Sequence, residues 1–290
     1  MTNYLFYLAI ILFSCVSCSQ SGDNKDSTEN QTAQAPVITI QTQDYTFVNV
    51  PDSVQAGPTT IRVQNEGIFP HNASFVYLDE GYTYQQYIEY LETHLPEQVP
   101  EWASLMGGPS APISGESSEA TLDLKPGNYA IVCGVPVPAA EPHYMKGMTH
   151  ALTVIPASQG KPPVPEADLG LTMDDYSFDM SSEISPGTHT VQVENKGEQP
   201  HEFILARLDE GAAVKDLIGW LGLAINAEGG QLPKAPGVFL NGVSPMDVGE
   251  TNFITVDFEP GTYALVCPYP DKDSGNPHFV HGMASQFTVE

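Results

Sequence analysis

The feature that most constrains this chain is that it repeats itself. Asp44-Tyr45-Thr46-Phe47 recurs as Asp175-Tyr176-Ser177-Phe178, and Asn65-Glu66-Gly67 recurs as Asn195-Lys196-Gly197. Pro70-His71 recurs as Pro200-His201, and Leu78-Asp79-Glu80-Gly81 as Leu208-Asp209-Glu210-Gly211. Pro126-Gly127-Asn128-Tyr129-Ala130 returns as Pro260-Gly261-Thr262-Tyr263-Ala264, followed in each case by a cysteine, Cys133 or Cys267. Pro142-His143 and Gly147-Met148 return as Pro277-His278 and Gly282-Met283. The offset drifts only from 130 residues at the first histidine to 135 at the last methionine, which loop insertions explain. A period this long exceeds that of solenoid arrays, so each copy reads as a whole domain. The expected boundaries are 37–155 and 168–290, with the proline-rich 156–167 as a semi-rigid spacer.

Within each copy the local pattern is that of strands. Val37–Ile40, Thr60–Gln64, Ala73–Leu78, Glu119–Leu124, Tyr129–Cys133 and Ala151–Ile155 are alternating or β-branched runs bounded by Gly, Pro or Asn. One amphipathic helix interrupts each set. Tyr84, Tyr87, Ile88, Leu91 and Leu95 follow helical spacing in the first copy, and Val214, Leu217, Ile218, Leu221 and Ile225 in the second. The expected fold is all-β, two tandem β-sandwiches of about 120 residues, each with a helix packed on it as a lid.

The N-terminus reads differently. Tyr4–Phe13 is too short to span a bilayer, which needs about 20 apolar residues, and it suits the core of a signal peptide. The cysteine after its small-residue end resembles a bacterial lipoprotein signal, which implies lipidation of Cys18, with Cys15 as the alternative. Residues 1–18 are then the signal and 19–36 a polar tether without aromatic residues. The expected location is extracytoplasmic, anchored to a membrane by the lipid. With 10 basic and 36 acidic residues the formal net charge is −26. That balance excludes a nucleic-acid phosphate backbone as partner and favours a basic protein or a cation. Four cysteines make no disulfide framework, although a Cys133–Cys267 bridge is compatible with an oxidising compartment.

Each copy brings a histidine, a cysteine, a second histidine and a methionine in the same order: His71, Cys133, His143 and Met148, then His201, Cys267, His278 and Met283. A soft thiolate, two imidazoles and a weak thioether make up the donor set of a mononuclear blue copper site, which serves both Cu(I) and Cu(II). Asn65-Glu66-Gly67-Ile68-Phe69-Pro70-His71-Asn72, Tyr129-x-x-x-Cys133 and Pro142-His143-x-x-x-Gly147-Met148, with their counterparts in the second copy, resemble the ligand segments of the cupredoxins, the plastocyanin-like blue copper proteins. The resemblance covers nearly everything after the tether. It implies Greek-key sandwiches, one type 1 copper per domain, these eight residues as ligands, and a second histidine (His143, His278) near the surface as the electron exit. The chain departs from the pattern in the loop between Cys and the second His, nine residues (134–142) and ten (268–277), longer than in plastocyanin-like domains and similar to copper nitrite reductases. It departs again where Asn72 is matched by Glu202.

Multicopper enzymes need further histidines, and this chain has no His-x-His pair and no histidine beside Cys133 or Cys267. The reading is therefore an electron carrier and not an enzyme, steered by its acidic surface to a basic redox partner such as a cytochrome. The competing readings are a metal-free binding module of the same fold, a copper storage or delivery lipoprotein, and a nitrite-reductase-like enzyme. His94, His150, His189 and His281 read as surface residues.

Overall fold

The computed structural model describes residues 35–136, 140–158, 160–227 and 232–290. The signal segment with Cys15 and Cys18, and all but the end of the tether, lie outside them. The first repeat runs β1 (Val37–Gln43), β2 (Thr46–Val48), β3 (Ser53–Gln55), β4 (Gly57–Asn65), β5 (Ser74–Leu78), α1 (Tyr84–Leu91), β6 (Ala103–Leu105), β7 (Ser117–Leu124), β8 (Gly127–Val132) and β9 (Thr149–Ile155). The second runs β10 (Leu169–Asp174), β11 (Ser177–Met180), β12 (Gly187–Asn195), β13 (His201–Leu208), α2 (Val214–Ile225), β14 (Gly237–Met246), β15 (Thr251–Phe258), β16 (Gly261–Val266) and β17 (Ala284–Val289).

Each repeat stacks two sheets. One is β3-β9-β8-β5-β6 in the first copy and β14-β13-β16-β17 in the second. The other sheet is shared: β11-β10-β12-β15-β7-β4-β1-β2 forms one eight-stranded layer, joined where Asn252 and Phe253 of β15 pair with Leu122 and Thr121 of β7. Alternation sets the faces of this layer. On β4, Ile61 and Val63 are buried while Arg62 and Gln64 face solvent. In β8 and β16 every residue from the tyrosine to the following cysteine is buried. These strands are covered on both faces, which is why they read as unbroken apolar runs.

The helices supply part of that cover. Thr83 and Gln86 form a capping box at the start of α1, and Asp216 accepts the Ala213 N–H at the start of α2. Tyr87 and Leu91 are the buried face of α1, and Leu95 lies beyond its end, exposed. In α2 the buried stripe is Leu217, Trp220 and Ala224, one position off the expected Leu221 and Ile225. The indole is the larger group and takes the inner position, with its Nε1–H donating to the Pro233 carbonyl.

The two repeats form one compact unit. Their seam carries backbone hydrogen bonds from Ser244 to Gly108 (2.7 Å), Gly107 to Pro245 (3.0 Å) and Asp247 to Leu105 (2.8 Å). The buried Asn252 side chain accepts from Gly108 N–H and donates to the Met106 carbonyl. Among the described residues no helix is long and apolar enough to cross a membrane.

Candidate metal centre

The first histidine of each site is placed by a pinned loop. Asn65 is fully buried; its amide donates to the Phe69 and Pro112 carbonyls, and its oxygen accepts from Gly67 N–H. Asn195 does the same with Gln199, Met246 and Gly197. The glycine is required by close approach. A Cβ on Gly67 would sit 2.5 Å from Asp44 Oδ1 and 2.9 Å from His71 Nε2, and one on Gly197 would sit 2.5 Å from both Asp175 Oδ1 and His201 Nε2. The Asn-x-Gly signature thus holds a carboxylate and a histidine in contact.

The cysteine and second histidine come from the other end of the fold. Tyr129 anchors the start of β8 by donating to the Lys125 carbonyl, as Tyr263 does to Glu259. Four residues on, just past the ends of β8 and β16, come Cys133 and Cys267. A 3₁₀ turn follows each loop, His143–Lys146 and His278–His281, entered from a proline and ended by Gly147 or Gly282 with φ of 92° and 110°. That left-handed stop is why glycine precedes the methionine. Met148 and Met283 are fully buried, and their carbonyls accept the N–H of Cys133 and Cys267 (3.1 and 3.0 Å).

His71, Cys133 and His143 meet, and so do His201, Cys267 and His278. In the first site the two Nδ1 atoms are 3.0 Å apart, and Cys133 Sγ is 3.9 Å from His71 Nδ1 and 3.4 Å from His143 Nδ1. In the second the Nδ1 atoms are 3.0 Å apart and Cys267 Sγ is 3.4 Å from His278 Nδ1. Metal bonds of about 2.0 Å to nitrogen and about 2.3 Å to sulfur let one ion touch all three atoms at such separations. All six residues are fully buried. The cysteines are free thiols in separate sites, so they do not form the disulfide that an oxidising compartment would permit.

Aspartates complete the arrangement. Asp44 Oδ1 lies 3.1 Å from His71 Nε2, and Asp175 Oδ1 3.0 Å from His201 Nε2. A carboxylate there holds the proton on Nε2 and turns the Nδ1 lone pair inward, the usual support of a metal-binding histidine. Burial opposes ionisation of Asp44, but the His71 hydrogen bond and the N–H groups of Phe69 and Ile68 outweigh it and hold its pKa below the ordinary value. Burial lowers the pKa of His71 and His201 despite these partners, and burial with His201 close by lowers His278 to about 4. Burial pushes the Cys133 thiol up to about 12, against the N–H groups of Val135 and Asn72. Cys267 is raised too, by burial and the Glu202 charge, against the N–H groups of Glu202 and Tyr269. A metal entering either site must displace a proton from sulfur.

The side chains of the second histidines are fully buried. His143 lies under Tyr45 (ring centroids 5.0 Å apart, edge-on) and beside Phe69 (6.3 Å), and His278 lies under Tyr176 (5.5 Å) and beside Tyr269 (5.9 Å). They were expected near the surface; each is itself fully buried, with one half-buried ring from the first hairpin of its repeat over it. Tyr45 and Tyr176 sit in the left-handed region, with φ of 65° and 63°. The recurrent Asp-Tyr pair was visible in the sequence as a repeat marker, but its place at the site was not. His94 and His281 are exposed as expected, whereas His150 and His189 are half-buried.

No family model matches this sequence, and no curated protein is detectably similar to it. Among solved structures, auracyanin from Roseiflexus castenholzii matches with 22% identity and a TM-score of 0.30, covering 42% of this chain and 94% of its own. Auracyanin A from Chloroflexus aurantiacus matches at 21% and 0.26, covering 42% and 99%. A blue copper oxidase from Nitrosomonas europaea covers 89% of this chain and 86% of its own, at 12% identity and a TM-score of 0.24. Each repeat is a two-layer β-sandwich. Each repeat holds one His–Cys–His group whose donor atoms lie close enough together to share a metal ion.

Proposed function

We propose that this protein is a blue copper electron carrier with one type 1 copper per repeat, held by His71, Cys133, His143 and Met148 and by His201, Cys267, His278 and Met283. The carrying observation is that two imidazole nitrogens and a thiol sulfur meet at 3.0–3.9 Å in a fully buried pocket of the first repeat, and that the second repeats the arrangement. Copper bound there supplies a one-electron Cu(II)/Cu(I) couple. The chain's part is to orient both Nδ1 atoms, to place two backbone N–H groups on the sulfur, and to exclude water with the Tyr45 and Tyr176 rings. Burial of every donor favours outer-sphere transfer over chemistry on a bound substrate. The net charge of −26 favours a basic redox protein as partner. Lipidation at Cys18 would hold the carrier at the outer side of a bacterial membrane.

The test is to load the full chain with Cu(II) and record its visible spectrum. Two coppers per chain and an intense thiolate-to-copper band are expected, reduced to about half in Cys133→Ser or in Cys267→Ser and absent in the double variant. No such band at any loading would leave a metal-free sandwich, and turnover of nitrite or oxygen would make it an enzyme.

A further inference from the structure

A cavity of about 780 Å³ lies between the repeats, within the size range of small-molecule sites. Its walls include sequence neighbours of donor residues from both copies: Asn72 and Gly134 from the first, Glu202, Pro268 and Phe279 from the second. The rest is mainly apolar, with Tyr87, Trp220, Phe239 and Tyr269 supplying aromatic faces.

The two copies differ at one polar position in that wall. Asn72 is satisfied at both ends: its amide donates to Ser244 Oγ (3.2 Å) and its oxygen accepts from Gly134 N–H (3.0 Å). In the second copy Glu202 replaces the asparagine and Pro268 replaces the glycine. Proline has no N–H, so that bond cannot form. Glu202 and Ile204, two apart on β13, both line the cavity, and among the described residues the Glu202 carboxyl has no side-chain hydrogen bond or ion pair. Glu202 is half-buried, so a donor that enters the cavity can meet its carboxyl. Glu92, Glu97 and Glu141 also line the cavity, and among the described residues no lysine or arginine does.

We propose that this cavity binds a hydrophobic amine, its apolar body against the aromatic walls and its ammonium on Glu202. Glu141 is already paired with Lys146 (3.5 Å); a neutral hydroxyl would satisfy the hydrogen bond but leave Glu92 and Glu97 uncompensated. An ammonium does both and gains further from the aromatic faces.

The test is calorimetric titration of the full chain, metal-free and copper-loaded, with 4-phenylbutylamine and with 4-phenylbutanol. The amine is expected to bind one per chain, about tenfold tighter than the alcohol, as a charge-assisted hydrogen bond warrants. Glu202→Gln removes that advantage and leaves alcohol binding in place, which also reports an intact cavity. Equal affinities for the two probes, no saturable binding of the amine, or an amine affinity unchanged by Glu202→Gln overturns the proposal. Should Glu202→Gln lose both probes, the comparison of amine with alcohol on the unaltered chain decides.

Discussion

Asp44 and Asp175 stand outside the donor sets yet decide which nitrogen His71 and His201 present. In a Cys267→Ser background, Asp44→Ala is expected to weaken copper binding at the first site by about 10–100-fold, measured by competition with a chelator. Gly67→Ala drives a methyl group into the Asp44–His71 contact and is expected to cost about 1–3 kcal/mol in urea unfolding of the metal-free protein. The buried histidines give that protein an acid limb. Folding holds His71, His201 and His278 below their unfolded pKa, so their contribution is complete above about pH 6.5 and is lost as pH falls toward 4. Melting temperatures of the metal-free protein at pH 7.5, 5.5 and 4.5 are expected to fall in that order, and a flat series would contradict the burial. The histidines and cysteines that meet were legible because each lies in a motif stated twice. The aspartates were not, because 27 residues separate Asp44 from His71 and only the hairpin turn closes the gap.

At the scale of elements, the strands with strict alternation were legible and those carrying turn residues were not. β14 contains Asn241-Gly242 and Pro245, all turn signals, yet it runs through as a strand with register shifts against β13. Gly242 permits this, because a Cβ there would lie 2.1 Å from the Phe203 carbonyl oxygen. The short strands β2, β3 and β6 exist through their partners rather than through any period of their own. The strand leading to each cysteine depends on its anchoring tyrosine. Tyr263→Phe removes the 2.6 Å bond to the Glu259 carbonyl and is expected to cost about 1–2 kcal/mol by denaturant unfolding, with little change in the visible spectrum of the loaded protein.

For the whole molecule, the repeat announced two like halves, but nothing in it announced a shared sheet. The pairing of β7 with β15 joins positions 130 and 132 residues apart through local backbone geometry that no motif encodes. Because the seam is backbone-bonded and buried, the halves are expected to unfold together. Scanning calorimetry of the metal-free chain should show one transition, and two well-separated ones would mean that each half stands alone. The rings over His143 and His278 have a consequence of another kind. If these pockets fill as proposed, their buried donors are reached only when a covering wall moves, so the pace of charging is expected to follow that opening and not the strength of the grip. Ions offered while the chain is still being made would enter faster than ions offered to the finished protein, and once inside they would be slow to escape.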